Sequence, residues 1–358
     1  MGMLGAAMRR HAVLQVLVTL GIGVGGATAA LWAGLPAAGL IGSALAVSTV
    51  SFFRLPTAIP LWLRNCAFAG IGCSLGSGVS RDLLALAATW PVSLLGLVVA
   101  MAAILASGSW VLVRFFRHSR ETALLATAPG ALSYSLAIAA SGVGDAGAVI
   151  VIQSIRLLFI ATGLPLVIDL VDPHQGSADV ALIGTTGPAA TALLFFTTLA
   201  LGFILQRYRV AAAFLLAGVL ISGLLHYTGM VHGRPPTSFL LVGFVITGAV
   251  VGSRFSVIPL AEIRRSIVAA LVLVLLSSVV AALFAGGVAQ LTGLPFGQVW
   301  VAYAPGGVEA MAAMALALGY DPAFIATHHL SRIVLLLFSL SLLLRLFRSP
   351  PVDPVGGR

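Results

Sequence analysis

Two short stretches of the chain combine helix-breaking residues with residues that carry charge or hydrogen bonds. The first reads Thr127-Ala128-Pro129-Gly130-Ala131-Leu132-Ser133-Tyr134-Ser135, and the second reads Ala304-Pro305-Gly306-Gly307-Val308-Glu309. Proline removes a backbone N–H and glycine permits close approach, so each stretch frees backbone groups to bind an ion or polar solute. The candidate ligands are the loop backbones at 129–131 and 305–307, the hydroxyls of Ser133 and Ser135, and the carboxylate of Glu309. Each break is followed by an arginine inside an apolar run, Arg156 after the first and Arg332 after the second. At membrane depth such a charge costs at least ~2.5–3.5 kcal/mol, so it must face a partner or water. Gln153 and His329 each lie three residues before their arginine, on the same helical face, and His328 lies one turn before Arg332.

Two readings of the arginines stay open. Each could bond the carbonyls freed at its own break, or both could line a pathway and meet an anionic substrate. Glu309 is the expected counter-charge of Arg332. With His328 and His329 it could equally make a proton-coupling site, because histidine titrates near neutral pH. Asp145 and Asp321 stand at helix starts and read as N-caps. Cys66 and Cys73, seven residues apart in an apolar run, read as packing residues rather than as a disulfide or metal site.

The elements that must position these residues are membrane spans. Of 358 residues, 60% are hydrophobic and 8% charged, against about 25% charged in a soluble domain. Apolar stretches of bilayer-crossing length recur along the whole chain. The first follows Arg9, Arg10 and His11 and reads as a retained helix rather than a signal peptide. Helices are predicted near 12–32, 36–53, 57–76, 86–113 and 146–169, and again near 188–206, 210–228, 236–253, 265–289 and 322–346. Broken segments are predicted near 121–141 and 299–318.

The two sets are copies. Ala128-Pro129-Gly130 recurs as Ala304-Pro305-Gly306, an offset of 176 residues (129 to 305), which also carries Asp145 onto Asp321 and Arg156 onto Arg332. The same offset maps Gly72 and Gly76 onto Gly248 and Gly252 without a gap. The domains are therefore read as residues 1–175 and 176–358. If the broken segments dip in and return, each copy has five crossings and the copies are inverted. Arg207, Arg209, Arg254, Arg264 and Arg265 then join Arg9, Arg10, Arg54, Arg114, Arg117, Arg120, Arg345 and Arg348 in the cytoplasm, and Arg81 and Arg234 remain outside. The positive-inside rule favours this over two parallel six-span halves. The fold expected is all-α and membrane-integral, with two inverted repeats of about five helices plus one re-entrant segment.

With these residues in view, the chain resembles the bacterial AbrB-type membrane proteins, in which one hydrophobic unit occurs twice. The resemblance rests on Thr127 to Ser133, on Ala304 to Met311, and on the Asp and Arg that follow in each copy. It departs from the family pattern at Ala131, where a second glycine is usual, and at Tyr134, which holds a position often acidic. Members are described as regulators of gene expression, as ammonia monooxygenases or as transporters. The arginines are spread over loops rather than gathered in a soluble basic module, which argues against direct nucleic-acid binding. His328 and His329 are adjacent and point about 100° apart on a helix, so they do not make a redox-metal site.

The expectation is a secondary transporter or exporter of a small, anionic solute, proton- or ion-coupled, working by alternating access in the bacterial inner membrane. It is not expected to be an enzyme or to hold a cofactor. Both termini are expected in the cytoplasm, and the expected partners are a small-molecule or ion substrate, the lipid bilayer and, as an open alternative, a second copy in a homodimer. The competing reading is a membrane-embedded regulatory protein that transports nothing and affects gene expression through a partner. The topology is testable by cysteine labelling from outside, which should modify a residue placed near Asp172 and spare one near Arg264. Modification at Arg264 would restore parallel halves.

Overall fold

A computed structural model describes residues 2–78, 90–129, 132–172, 184–210 and 212–346, without the side chains of 2–11, 132–134, 322, 337 and 340–346. The expectations for Arg81, Gly130, Ala131 and Arg348 lie outside the described residues. So do those for the side chains of Arg9, Arg10, His11, Ser133, Tyr134 and Arg345.

The described chain is helical throughout, apart from one isolated bridge between Thr185 and Arg234. The first half holds α1 (Gly2–Trp32), α2 (Ala38–Phe52), α3 (Leu61–Gly76), α4 (Trp90–Phe116), α5 (Arg120–Thr127), α6 (Leu132–Ala140) and α7 (Ala146–Val171). The second holds α8 (Pro188–Arg207), α9 (Ala213–Tyr227), α10 (Thr237–Ser253) with a 3-10 turn at Arg254–Val257, and α11 (Leu260–Thr292). It ends with α12 (Phe296–Tyr303), α13 (Val308–Leu318) and α14 (Pro322–Leu346). Among the described residues, six helices are long and apolar enough to cross a membrane. Side-chain placement agrees with lipid on the outside. Phe196, Phe203, Leu283 and Leu291 are exposed, while Ser43, Thr198, Ser222, Gln153 and Arg156 are buried. In water, so much exposed apolar surface would drive association; in a bilayer it is the favoured outer face.

Helices α2, α3, α9 and α10 form one packed group in which each half supplies a partner to the other. Gly248 and Gly252 of α10 lie against Leu40, Ala44 and Ser48 of α2, in the same chain order, so these two helices run parallel. Gly72 and Gly76 of α3 meet Leu215, Gly218 and Gly223 of α9 in the same sense. Lipid tails are as apolar as leucine, so close backbone approach and interhelical hydrogen bonds supply the cohesion. The Ser43 hydroxyl donates to the Val245 carbonyl at 2.6 Å, and the Ser222 hydroxyl donates to the Cys73 carbonyl at 2.6 Å.

A second group is built on α4, α7 and α11. Gly96 of α4 faces Val288, and Gly108 faces Leu273, so α4 and α11 run antiparallel. Helix α11 also packs along α7.

The glycine contacts give a direct stability test. A methyl added at Gly72 would stand 2.3 Å from the Leu215 carbonyl oxygen, so Gly72→Ala should cost about 1–3 kcal/mol. Gly287 has nothing within 4 Å of such a methyl, and Gly287→Ala should be neutral or gain up to ~1 kcal/mol from helix propensity. Thermal unfolding in detergent compares the two, and equal midpoints would contradict the packing.

Candidate functional site

Each Pro-Gly break separates two half-helices, and each pair folds back on itself. In the first hairpin, α5 runs down to Pro129 and α6 returns. The backbone N–H of Asp145, just before α7, donates to Thr122 Oγ1 in the first turn of α5 at 2.9 Å. In the second, α12 and α13 return likewise, and the Asp321 N–H donates to Gln298 Oε1 at 3.1 Å. The ends of each hairpin are therefore tied together, and the breaks form their tips. Gly144, at φ +102°, lies against Thr122 and makes the return possible without a side-chain clash.

The hairpins open at opposite ends of α7. Asp145 caps its first turn by accepting from the Ala148 N–H at 3.0 Å, and its carboxylate pairs with Arg265 of α11. Burial raises the Asp145 carboxyl, but the Ala148 N–H and Arg265 outweigh it and hold the group below the usual carboxylate range. The sign of the linkage follows: the latch is present at neutral pH and is lost only as pH falls through that lowered value. At the other end of α7, Asp172 Oδ2 accepts from the Gly297 N–H at 2.7 Å and from the Tyr320 hydroxyl at 3.3 Å. One carboxylate thus holds both legs of the second hairpin. At that same mouth burial raises Asp321, which accepts from the N–H groups of Ala323 and Phe324. With 26 residues at 1.5 Å each, α7 separates the two mouths by about 39 Å.

The tips converge at the middle of α7. A Cβ on Gly307 would lie 3.5 Å from Leu157, the residue after Arg156. Behind each tip the arginine fork satisfies carbonyls that the break leaves without helical partners. Arg156 Nη1 donates to the carbonyls of Ala126 and Thr127 at 3.3 and 3.0 Å, and Nη2 donates to that of Ala128 at 3.2 Å. Arg332 Nη1 and Nη2 donate to Ala304 and Gly306, each at 2.6 Å. One turn earlier, Gln153 Nε2 donates to the Leu125 carbonyl at 2.7 Å and His329 Nε2 to the Val301 carbonyl at 3.1 Å. Four of these hydrogen bonds recur at the 176-residue offset: the two mouth ties and caps at Asp145 and Asp321, and the bonds to Ala128/Ala304 and Leu125/Val301.

Two expectations change. Glu309 is not paired with Arg332, which spends its fork on backbone carbonyls. Instead Glu309 sits, half-buried, in the first turn of α13, which packs against α3 and α10. Nor do the histidines gather around Glu309. His328 bonds the Phe324 carbonyl through Nδ1 at 2.7 Å and Ser93 Oγ through Nε2 at 2.8 Å, and so fastens α14 to α4. Tyr303 joins the same fastening by donating to the Ser93 carbonyl. Pro129, Ser135, Pro305 and Gly306 are buried at the tips, and Gly307 is half-buried.

What the tips offer chemically is an excess of donors and positive charge. The arginines neutralise the carbonyl ends of α5 and α12, leaving the N-terminal end of α13 facing the centre with its free N–H groups and positive dipole. Among the described residues, Thr127 Oγ1, Ser135 Oγ, Ser154 Oγ, His329 Nδ1 and the Nε atoms of both arginines are buried without a protein partner. A cavity of about 460 Å³ lies further along α7, between Phe159, Leu164, Leu283, Phe296 and Trp300, but its lining is apolar and open toward the exposed helix faces.

Truncating Arg156 to Ala would leave three carbonyls unsatisfied away from water. That should cost about 3 kcal/mol or more, with Arg156→Lys intermediate because it keeps charge but loses the fork. An unchanged unfolding midpoint for Arg156→Ala would show that the guanidinium does not hold the tip.

With this geometry in place, comparison with known proteins is informative. A family model described as transition state regulatory protein AbrB matches residues 39–348. The chain is 27% identical to the uncharacterized protein YhjN of Bacillus subtilis (strain 168) over 288 residues, covering 75% of this chain and 74% of that one. It is 25% identical to the "Putative regulator AbrB" of Escherichia coli (strain K12) over 316 residues, covering 87% and 88%. No solved structure matches. The family match spans both hairpins and both arginines, and the chain belongs to the AbrB family.

Proposed function

We propose that the protein is a secondary transporter or exporter that moves a small anionic solute across the bacterial inner membrane by alternating access. The observation that carries this reading is the pair of arginine-braced hairpins, which open at opposite ends of α7 and converge on its middle, around Arg156 and Leu157. Broken helices paired in two halves are the recurrent architecture of transporter binding sites. Residues 1–175 and 176–358 act as inverted repeats, each with five crossings and one re-entrant hairpin. Parallel packing of α2 with α10 and of α3 with α9, and antiparallel packing of the equivalent helices α4 and α11, support that inversion. In parallel six-span halves each of these three relations would have the opposite sense.

The group of α2, α3, α9 and α10 interlocks the two halves and serves as the fixed scaffold. The hairpins, with α4, α7, α11 and α14, serve as the element that moves against it. Arg156 and Arg332 brace the tips, and solute is held by tip backbone groups and by the unpartnered buried atoms behind them. The buried positive charge of Arg156 and Arg332 selects an anion, and Glu309, in the first turn of α13, is the acid that follows the second break. No cofactor or catalytic step is needed, and direct nucleic-acid binding plays no part. Any regulatory effect, as the name of the Escherichia coli relative has it for that protein, would be indirect, through the solute.

The test is flux in proteoliposomes with a panel of labelled small anions, including acetate, succinate and inorganic phosphate. At least one should exchange across the membrane, and Glu309→Gln should reduce that exchange by at least about tenfold while leaving the unfolding midpoint near wild type. No flux for any anion, together with a stable protein partner captured from native membranes, would replace this reading with a regulatory one.

A further inference from the structure

His328 is completely buried on α14, two turns beyond the Asp321 cap and one turn before Arg332. Its hydrogen bonds fix more than a packing position. Nδ1 lies 2.7 Å from the Phe324 carbonyl, which can only accept, so Nδ1 carries a hydrogen in every state. Nε2 lies 2.8 Å from Ser93 Oγ of α4, and Ser93 Oγ lies 3.0 Å from the Trp90 carbonyl. The serine has a single hydrogen to share between those two acceptors. With a neutral ring the hydroxyl donates to Nε2, and the Trp90 carbonyl, in the first turn of α4, keeps its helical N–H. With a charged ring Nε2–H donates to Ser93 Oγ, and the hydroxyl turns to the Trp90 carbonyl. Both states satisfy both ring nitrogens, and rotation of one hydroxyl separates them.

His329 lacks this provision. Its Nε2 donates to the Val301 carbonyl, so a second proton would go to Nδ1, which is buried without a protein partner. A buried N–H left unpaired there is penalised. The neighbours of His328 suit a cation as well. The rings of Phe324 and Tyr303 lie along it at centroid distances of 4.0 and 6.3 Å, and an aromatic face attracts positive charge. Tyr303, from α12, is a titratable group facing the ring from another helix, and its hydroxyl is committed to the Ser93 carbonyl. On α14 itself the nearby charge is Arg332. Helices α13 and α3 also pack against α14 and bring Glu309 and Arg64, neither with a described contact to the ring. Arg114 lies at the far end of α4 from Ser93, and Arg120 and Glu121 of α5 stand at the opposite mouth. The pair has no copy at the 176-residue offset, where the corresponding residues are Ile152 and Ala269.

We infer that His328 with Ser93 is a proton-binding site that couples proton movement to the anion held at the second hairpin tip. This rests on the transport reading for its purpose, but proton binding is separable from flux. The proton comes from water at the second mouth, about 10 Å back along α14 at Asp321. It bonds to the Nε2 lone pair and leaves by breaking that same bond, so nothing is oxidised or reduced. A positive charge added one turn from Arg332 favours an anion at the tip, and by reciprocity the anion favours the proton. The two therefore bind together and cross in the same direction.

The ring is followed directly by nitrogen NMR of histidine-labelled full-length protein in nanodiscs, with the His328 signals identified by their loss in His328→Gln. As pH is lowered over the range in which the protein stays folded, the ring should pass reversibly from the Nδ1–H tautomer to the doubly protonated form. Ser93→Ala should weaken binding of the second proton about tenfold, because the charged ring loses the stronger hydrogen bond. An Nε2–H tautomer, a ring that gains no second proton while the fold persists, or unchanged proton binding in a folded Ser93→Ala would overturn the site. Coupling is read in proteoliposomes from uptake of inorganic phosphate and succinate under an imposed pH difference, with the membrane potential clamped at zero. With one proton carried per anion, each pH unit should support about a tenfold accumulation, and His328→Gln should lose that dependence. Flux that ignores the pH difference would overturn the coupling and leave transport standing. A ring that titrates as described in a protein with no flux would instead remove the transport reading and leave the proton site.

Discussion

A backbone carbonyl that loses its helical donor inside a bilayer has no water to turn to, and every feature of the candidate site answers that constraint. Breaking a helix at Pro129 or Pro305 frees several carbonyls at once. The guanidinium fork is suited to the task, because it presents several donors in a fixed plane from one side chain. Arg156 and Arg332 fill it in the same way, from the helix behind each hairpin. With the carbonyl ends held, the opposing N-terminal ends and the spare Nε donors stay directed at the centre. The same device that makes the break tolerable also makes the centre electropositive.

The cost of this arrangement falls on the surrounding helices. Two buried arginines act on each other electrostatically, and the protein must keep them apart while bringing the tips together. Helix α7 does both, carrying Arg156 on its body and setting the tip of the second hairpin against Leu157. The mouths are fastened separately, by Asp145 with Arg265 at one end and by Asp172 with Gly297 and Tyr320 at the other. Each fastening joins the first half of the chain to the second.

Much of this was legible in the sequence, for physical reasons. Apolar runs of bilayer length and Pro-Gly breaks are local signals, and the helices at 146–171, 237–253 and 322–346 lie within two residues of their expected bounds. Span α3 starts at Leu61 rather than at 57, because Pro56 and Pro60 keep the preceding stretch extended. What a buried guanidinium binds is a different matter. Spacing placed Arg156 and Arg332 behind the breaks but could not distinguish carbonyls from a solute, as both lie in the same direction. The expected Glu309–Arg332 pair failed because the surroundings of Glu309 depend on how α13 packs against α3 and α10, a contact between residues far apart in sequence. Asp172 reads from the sequence only as a point on the outer side, with no hint that it ties the second hairpin. The one available signal for Asp172 was its position directly after the helix that carries Arg156.

The central claim is that equivalent points on the two hairpins face opposite sides of the membrane. Ser141 and Ala317 are such a pair, each at the returning end of its hairpin and separated by the repeat offset. The most direct measurement places a single cysteine at either position, in a background with Cys66 and Cys73 replaced, and labels oriented vesicles with a membrane-impermeant thiol reagent. The Ser141→Cys protein should react only from the cytoplasmic side and the Ala317→Cys protein only from the outside. Reaction of both from the same side would contradict it.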